Sequence, residues 1–410
     1  MKYKNLYTII LLVVSSLALS WGVAVLVRKA TATSPGYPFV YYSSILQRFI
    51  IRESSADNKL THKDTEGNRY TREQYDSLTP LLSYRQLMLT NTMPDSLFGI
   101  AMEPHVLRSK TLTWRYNPLY IHQPAMPLYI MYESMSGRAT IESPNDVFRL
   151  AGRIEFIDKF TNTVNEEKSS RFQAKLEKEG FAFPAQRVWG NLSARKPYDE
   201  GYFALDKNGA LFHVKMVNGR PYVRNTGAGN TVDIAHFGIS EVADKRIYGF
   251  IVGRRGDLYT LNTDGYSLTR FDIPPIDIHT HSVMLLGNVL YWIVGVSTPE
   301  SNTSYVLNAA TLKQHDAPCT IMAKENKWHA AASWLFPVYV GFSNKYSDFI
   351  MPELKINFGW ALFISHLLFF AYLFTVGRRG AKRKIPVRLA NAFVIILFGI
   401  PGLIASLIIK

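Results

Sequence analysis

Three long apolar runs mark this chain, one near its start and two at its end. They cover residues 7–27, 356–376 and 389–409, and each holds 21 residues without Asp, Glu, Lys or Arg. About 20 such residues cross the hydrocarbon core of a bilayer as a helix. The pattern therefore predicts three transmembrane helices around a large polar region, and a lipid bilayer as the first partner.

The segment between the last two runs predicts how the chain is oriented in the membrane. It is short and carries cations without an acid: Arg378, Arg379, Lys382, Arg383, Lys384 and Arg388. Short basic loops stay on the cytoplasmic side. We therefore expect a multi-pass membrane protein whose main domain lies on the opposite, extracytoplasmic side.

The first apolar run has a second interpretation, as a cleaved signal peptide with its cleavage site at residues 30–32, Ala-Thr-Ala. Two features favour an uncleaved anchor. The run is longer than a usual signal core of about 7–15 residues, and Arg28 and Lys29 lie between it and that site. The predicted division of the chain therefore begins with an N-terminal anchor over residues 1–28.

Residues 29–200 predict an extracytoplasmic α+β region, clearest after residue 151. The sequence GRIEFIDKF is typical of a strand, and FAFPAQRVWG predicts another. Between them, Thr163 and Glu166 have the spacing of a capping box, and Gly180 suits the end of the helix that follows. We expect a strand–helix–strand unit with both strands in one sheet.

Residues 201–355 predict a β-rich region of repeated hairpins. Strands that surround turns at Gly209, Gly256 and Gly287 follow one another, although their spacing of 47 and 31 residues is uneven. Propeller blades have four strands in about 40–50 residues. The predicted fold is α+β and β-rich: an α/β part, then a propeller-like or meander region, and a transmembrane hairpin over residues 356–410.

The charge balance argues against nucleic-acid binding. The formal net charge is +14, but 11 of the cations lie outside residues 30–355, where there is no acid. That leaves 35 cations and 32 acids in the outer region, a net charge of +3. Nucleic-acid binding needs a basic face on the folded domain. Cys319 is the single cysteine, so no disulfide forms within the chain, and we expect a buried apolar side chain there.

The best candidate for chemistry is the sequence Asp277-Ile278-His279-Thr280-His281. In a strand, Asp277, His279 and His281 point to one face, and two imidazoles with a carboxylate are ligands of zinc and similar metals. A third firm ligand outside this segment is not evident. Ser193 and Lys196 match S-x-x-K, a pattern of some serine acyl enzymes, but its companion motifs are missing. No cofactor follows from the sequence.

The apolar runs carry features that predict helix packing. Ser16, Ser20 and Ala24 form a stripe of small residues, and Gly402 and Ser406 repeat the four-residue spacing. Small residues let membrane helices approach closely, which favours contacts with other membrane subunits. His366 lies in the middle of the second run. An ionisable group there usually faces protein rather than lipid.

The whole chain resembles an uncharacterised family of bacterial inner-membrane proteins with one N-terminal and two C-terminal transmembrane helices around a periplasmic domain. The stretches that carry the resemblance are MPDSLFGI, IMYESMSGRATIESPNDVFRL, TNTVNEEKSSRF, GFAFPA and RKPYDEGYF. The resemblance implies an accessory role beside ABC-type transporter components and assigns no site residue.

These observations predict a membrane-anchored extracytoplasmic binding or assembly subunit. The resemblance adds an accessory role in an ABC-type transporter complex. The alternative is a periplasmic enzyme tethered to the membrane, such as a metal-dependent hydrolase that uses His279 and His281. An enzyme should keep its activity when the outer region is expressed alone, whereas a complex subunit should lose its function without its helices.

Overall fold

The computed structural model describes residues 2–31, 37–54, 60–123, 127–138, 140–323, 327–342, 352–357, 359–378 and 385–409. Its helices are α1 (Lys2–Thr31), α2 (Arg72–Leu78), α3 (Pro80–Leu89), α4 (Pro104–Lys110), α5 (Leu119–His122), α6 (Glu166–Lys178), α7 (Lys327–Leu335), α8 (Trp360–Arg378), α9 (Ile385–Phe398) and α10 (Ile400–Ile408).

The strands outnumber the helices, and most lie between residues 37 and 322. They are β1 (Phe39–Ser43), β2 (Arg48–Ser54), β3 (Leu60–Asp64), β4 (Arg69–Tyr70), β5 (Ser96–Leu97), β6 (Ile100–Ala101), β7 (Leu112–Tyr116), β8 (Asp146–Leu150), β9 (Ile154–Asp158), β10 (Arg187–Gly190), β11 (Tyr202–Leu205), β12 (Leu211–Val217), β13 (Arg220–Asn225), β14 (Ile234–Ile239), β15 (Ile247–Gly253), β16 (Leu258–Asn262), β17 (Leu268–Arg270), β18 (Ser282–Gly287), β19 (Tyr291–Ser297), β20 (Ser301–Asn308), β21 (Cys319–Met322), β22 (Val338–Gly341) and β23 (Glu353–Ile356).

The chain forms two compact units. The sheet unit is Tyr37–Met322, and the terminal unit combines Met1–Gly36 with Ala323–Lys410. The described part of the sheet unit holds six antiparallel sheets: sheet 1 (β1–β4), sheet 2 (β8 and β9), sheet 3 (β10–β13), sheet 4 (β14–β17), sheet 5 (β18–β21 with β7 added beside β18) and the short pair β5 and β6. Sheets 1, 3 and 4 are four-stranded meanders, so the β-rich antiparallel fold expected from the hairpin pattern is present.

Shared hydrophobic clusters show how the sheets pack in series. Phe156 of sheet 2 shares a cluster with Phe212 of sheet 3, and α6 contributes Phe172 to it. Sheets 3 and 4 share a cluster with Phe203 and Phe237, and sheets 4 and 5 share one with Phe250 and Trp292. Sheet 5 then packs on sheet 1, because Ile293 and Val40 belong to one cluster. The last sheet of the unit therefore meets the first.

The strand–helix–strand unit predicted after residue 151 is wrong in its pairing. Strand β9 pairs with β8, whereas β10 pairs with β11 in a different sheet. The helix cap lies two residues after the predicted one, because the Asn165 side chain accepts the hydrogen bond from the Lys168 N–H at 3.0 Å. Glu166 instead pairs with Arg153 at 2.9 Å. Gly180 follows the helix with φ 86°, as expected of a helix end.

The segment PLYIMYES, residues 127–134, forms isolated bridges instead of a strand. Tyr129 forms an isolated bridge with Phe148, and Glu133 forms another with Met216, without a continuous ladder. The Glu133 carboxylate accepts hydrogen bonds from the main-chain N–H groups of Asn218 and Gly219 at 2.7 and 2.8 Å. This segment is therefore ordered by side-chain contacts to the turn after β12 rather than by a sheet.

The terminal unit contains one helix that is long and apolar enough to cross a membrane, Asn5–Thr31, among the residues that the structure describes. A signal sequence passes the same test of length and composition. The prediction of two further spans in the C-terminal runs is not confirmed. Their apolar helices are the shorter Trp360–Val376 and Ile385–Phe398, and residue 356 ends strand β23 instead of starting a helix.

The last apolar run is broken into α9 and α10, where a kink was expected. Gly399 adopts φ 64° and ψ −125°, which no helix contains, and Pro401 lies in the first turn of α10. A Cβ added to Gly402 would lie 2.1 Å from the Val394 carbonyl oxygen, so α10 folds back closely on α9. A helix of 14 residues such as α9 is about 21 Å long, shorter than the roughly 30 Å hydrocarbon core.

The small residues predicted to pack membrane helices are buried within the terminal unit itself. Ser16, Ser20 and Ala24 are buried on α1, and Gly402 and Ser406 are buried on α10. The Ser16 hydroxyl donates to the Leu12 carbonyl oxygen at 2.7 Å, inside its own helix.

The other residues predicted to act in the membrane are His366 and the cations that set topology. His366 is exposed on α8, and its Nδ1 lies 2.6 Å from the Leu362 carbonyl oxygen. Of the residues predicted to set topology, Arg378 ends α8 and Arg388 lies in α9. The others lie outside the described residues: Arg379, Lys382, Arg383 and Lys384.

Candidate binding pocket

An aromatic pocket of about 320 Å³ lies where the edge strands of three sheets meet. Strand β7 is the edge of sheet 5, β10 the edge of sheet 3 and β14 the edge of sheet 4, and each contributes to the wall. We define the aromatic pocket by Trp114, Tyr120, Tyr129, Trp189, His236 and Gly238. Pockets that bind ligands are mostly apolar and aromatic with a few placed polar groups, and this one has that composition.

Two glycines let the aromatic rings lie against the strands. A Cβ added to Gly238 would lie 2.2 Å from Trp114 Nε1, so Trp114 occupies the space that any side chain there would need. A Cβ on Gly190 would lie 2.3 Å from the Tyr202 ring. Trp114 is also stacked on Phe250, with ring centroids 4.7 Å apart. The indole is thus held from both sides and forms a rigid wall.

His236 is the polar group at the centre of the aromatic pocket. Its ring is stacked on Tyr120 at 5.2 Å and meets Trp189 edge-on at 6.0 Å. Burial, together with the smaller effect of the Arg187 charge, lowers the pKa of His236 to about 4. The imidazole is therefore neutral at pH 7. Its Nδ1 is buried without a hydrogen-bond partner among the described residues, and buried polar atoms normally have one.

Arg187 fixes the short helix α5 that carries Tyr120. Its guanidinium donates to the carbonyl oxygens of Ile121 and Gln123, both at 3.3 Å. At the start of the helix, the Asn117 side chain accepts a hydrogen bond from the Leu119 N–H at 2.9 Å. The last turn of this helix is thereby tied to strand β10, and the position of Tyr120 does not depend on the α5 backbone alone.

The predicted metal residues lie next to the aromatic pocket, but in a turn rather than a strand. The main-chain N–H groups of Thr280 and His281 both donate to the Asp277 carbonyl oxygen, at 3.2 and 2.8 Å. The alternating geometry that placed three side chains on one face is therefore wrong. The Asp277 carboxylate instead accepts from the His279 N–H and the Thr280 hydroxyl, at 2.9 and 2.6 Å, and these bonds lower its pKa.

One of the predicted metal-binding histidines lies against a histidine from a distant part of the sequence. His279 Nδ1 lies 3.1 Å from His122 Nε2, at the end of α5. The His281 Nδ1 accepts a hydrogen bond from the Asp277 N–H at 3.1 Å. Across the described ranges, no group of three or more His, Cys, Asp or Glu is placed to hold a metal ion. Metal binding at Asp277, His279 and His281 stays a prediction.

The S-x-x-K match serves a structural purpose. Lys196 is 2% exposed, and its Nζ lies 2.5 Å from Asp199 and 2.9 Å from Glu241, which are 1% and 2% exposed. The Asp199 contact is electrostatic, since Oδ1 lacks the alignment of a hydrogen bond. The Ser193 hydroxyl accepts from the Arg195 N–H at 3.1 Å instead of meeting the lysine. This buried cluster joins the segment after β10 to the segment after β14.

The aromatic pocket was not predicted from the sequence, although the sequence contains a signal for it. Trp189 is followed by Gly190, and Phe237 by Gly238, in each case near the end of an edge strand. A glycine inside a strand often marks close approach of another group. These two pairs therefore mark the strands whose edges meet at the pocket, but only the fold shows that they are neighbours.

The fold and the pocket define a class of protein: a β-rich domain of serial antiparallel sheets with an aromatic binding pocket at their edges. The chain belongs to the family described as a domain of unknown function (DUF4857), whose model matches residues 39–307. A comparison with curated proteins found no match.

Among solved structures, the chain is similar to one titled "Structure of Dos1 propeller". The identity is 9% and the TM-score is 0.25. The match covers 77% of this chain and 66% of that chain, just under two thirds of its length.

Proposed function

We propose that this protein is a membrane-anchored extracytoplasmic binding subunit, whose aromatic pocket takes an apolar or aromatic group of a partner molecule. The observation that carries the proposal is the convergence of three edge strands on that pocket. Its rigid walls, Trp114 and Trp189, offer contact area, and His236 offers a neutral hydrogen-bonding group in an apolar setting. Such pre-formed sites bind with little reorganisation.

The series of sheets supports a propeller-like arrangement for the domain. Four of the sheets have four or more strands, hydrophobic clusters join sheet 3 to sheet 4 and sheet 4 to sheet 5, and sheet 5 packs on sheet 1. We propose that the sheets are blades and that the pocket lies at their inner edges. In such folds the inner edges of several blades build one site, which explains how residues 114, 189 and 236 meet.

The terminal unit supports the membrane anchor. Helix α1 is long enough to cross a bilayer, and α8 carries exposed apolar side chains on one face: Phe363, Leu367 and Phe370. Exposed apolar patches mark contacts with lipid or with another protein. We propose that this face meets a membrane subunit, such as the permease of an ABC-type transporter, and that the basic segment after α8 is cytoplasmic.

Purification from the native membrane in mild detergent, with mass spectrometry of the proteins recovered, tests this proposal. We expect a membrane protein to be recovered in a fixed ratio with the wild type and to be lost with Trp189→Ala. Lys178→Met, on the exposed side of α6, is the matched control and should recover the same partner. Recovery of the chain alone at every detergent strength, or equal recovery with both variants, would refute the proposal.

The location is tested separately with a thiol reagent that does not cross membranes. In a Cys319→Ser background, a cysteine introduced at Lys178 should react in intact cells. A cysteine introduced at Asn5, before the apolar run, should react only after the membrane is opened. The opposite pattern would show that the sheet unit is cytoplasmic.

A further inference from the structure

A second cavity, of about 300 Å³, lies on sheet 1 beside α2 and α3. We call it the arginine pocket and define it by Phe39, Arg52, His62, Arg72, Tyr75 and Asp76. In the sheet register, Phe39 is opposite Arg52, and Arg52 is opposite His62. Directly opposite residues point to the same face, so these three side chains form a row across sheet 1.

Within the described ranges, the two arginines of this pocket have no anionic partner. The Arg52 guanidinium lies 4.6 Å from the centroid of the Phe39 ring. Among the described residues, neither Arg52 nor Arg72 forms an ion pair, whereas Arg153 and Arg270 each hold a carboxylate. A guanidinium stacked on a ring keeps the N–H groups at its edge available for oxygen acceptors. Arg52 is half-buried, so its charge lies within the cavity rather than in bulk water.

Tyr75 provides a second, independent observation in favour of a ligand site. Its side chain is 4% exposed, and its hydroxyl is buried without a hydrogen-bond partner among the described residues. The nearby Thr79 hydroxyl donates to the main-chain oxygen of Tyr75, at 2.8 Å. Burial raises the pKa of Tyr75, while the charge of Arg52 opposes the rise, which places the phenol and the guanidinium in one electrostatic environment.

The other polar groups set the charge of the arginine pocket. His62 is stacked on Tyr75, with ring centroids 4.3 Å apart. Burial lowers the pKa of His62, and the charges of Arg52 and Arg72 lower it further, so the imidazole is neutral at pH 7. Asp76 is the carboxylate of the lining, and it already accepts a hydrogen bond from Ser83 at 2.7 Å. Two cations therefore face one engaged anion.

We propose that the arginine pocket binds a small organic anion whose carboxylate or phosphate oxygens accept hydrogen bonds from Arg52, Arg72 and the Tyr75 hydroxyl. The apolar part of the ligand lies against Leu60 and Leu82, which complete the lining. Planar guanidinium groups match the geometry of both oxyanions and bind them in a bidentate manner. This site is on a different sheet from the aromatic pocket and goes beyond the proposed function.

Calorimetric titration of the full-length protein in mild detergent with phenyl phosphate tests the proposal. Benzoate and benzyl alcohol are titrated as the carboxylate and the uncharged analogue. We expect both anions to bind and the alcohol not to bind. Arg52→Gln should weaken the affinity by about tenfold or more, as charge-assisted hydrogen bonds do. Arg52→Lys should weaken it by a smaller factor, because it keeps the charge but loses the planar fork.

Tyr75→Phe separates a binding role from a structural one. The hydroxyl has no hydrogen-bond partner in the part of the chain that the structure describes. Its removal should therefore leave the melting temperature unchanged or raised, yet weaken phenyl phosphate binding by about fivefold. Lys63→Gln, on the opposite face of sheet 1 with its own partner Glu53, is the matched control. It should bind like the wild type, as should Trp189→Ala in the aromatic pocket.

Several results would overturn the inference. Absence of binding to the wild type would do so, as would equal binding by wild type, Arg52→Lys and Tyr75→Phe. A loss with Lys63→Gln as large as that with Arg52→Gln would show a nonspecific charge effect. A short-chain phosphatidate titrated in parallel distinguishes the ligand's source: tighter binding than phenyl phosphate indicates a lipid headgroup, and weaker binding a soluble anion. Either outcome of that comparison supports the oxyanion site.

Discussion

Replacing Lys196 by methionine removes the cation shared by two buried carboxylates, and we expect it to destabilise the sheet unit strongly. Lys196 Nζ lies 2.5 Å from Asp199 and 2.9 Å from Glu241. It also lies 5.2 Å from the centroid of the Tyr132 ring. Methionine keeps most of the length of the side chain, so the change is mainly one of charge.

The magnitude follows from the burial of the partners. Removing one member of a buried ion pair costs about 3–5 kcal/mol, because the remaining charge is left uncompensated. In this cluster two carboxylates are left. Asp199 keeps hydrogen bonds from Ser134 and the Gly201 N–H at 2.8 and 3.1 Å, and Glu241 keeps those from Asn191 and the Glu200 N–H, both at 2.8 Å. These bonds hold the loss within that range.

The sign of the pH dependence is set by Glu241. Burial raises its pKa, while Lys196 and its hydrogen bonds oppose the rise. A carboxyl with a raised folded pKa gives a folded state that binds more protons, so stability falls as pH rises from the unfolded pKa through the folded pKa. Without Lys196 the pKa of Glu241 rises further. The destabilisation by Lys196→Met should therefore be larger at pH 8 than at pH 5.

Thermal unfolding of the full-length protein, followed by near-ultraviolet circular dichroism, measures the effect. A loss of about 3–5 kcal/mol lowers the melting temperature by roughly 6–15 °C. Lys178→Met, an exposed lysine on α6, is the control and should change stability by less than about 0.5 kcal/mol. Adding Glu241→Gln to Lys196→Met should recover part of the loss. A decrease in melting temperature smaller than that of the control, or a decrease that is equal at pH 5 and pH 8, would refute the reasoning.

Three further predictions concern the pocket and its surroundings. Gly238→Ala should displace Trp114 and destabilise the protein by about 1–3 kcal/mol, and an unchanged tryptophan spectrum and melting temperature would contradict the close contact. The pKa of His236 is lowered to about 4, so its share of stability is lost as pH falls from about 6.5 toward that value. His236→Phe should therefore lose less stability than the wild type between pH 7 and pH 5, and an equal loss would contradict the assignment. A transition metal at residues 277–281 requires metal in the purified protein and a lower melting temperature after chelation, and metal-free protein with unchanged melting would end that prediction.

Local patterns predicted the local structure well. Alternating hairpins and turn glycines indicated the antiparallel strands after residue 201, and Gly180 marked the end of α6. Pairing between distant segments could not be read in the same way. Strand β7 joins sheet 5 beside β18, which follows it by more than 160 residues. No short-range pattern specifies such a partner, because the contact depends on how the intervening sheets fold.

The site was harder to predict than the fold for a related reason. Trp114, Trp189 and His236 come from three sheets, and each residue alone has an ordinary core interpretation. Asp277, His279 and His281 were chosen because they are close in sequence, but the segment that holds them forms a turn instead of a strand. The last apolar run likewise forms apolar helices, but Gly399 and Pro401 divide it into α9 and α10.

Photo-crosslinking from inside the aromatic pocket tests the central claim most directly. A photoreactive phenylalanine analogue is placed at Tyr120, which is 38% exposed, and in a second protein at Lys178 as the control. After illumination of native membranes, we expect one discrete adduct from position 120, identified by mass spectrometry, and none of that mass from position 178. No adduct from position 120, or the same adducts from both positions, would contradict a binding function for the pocket.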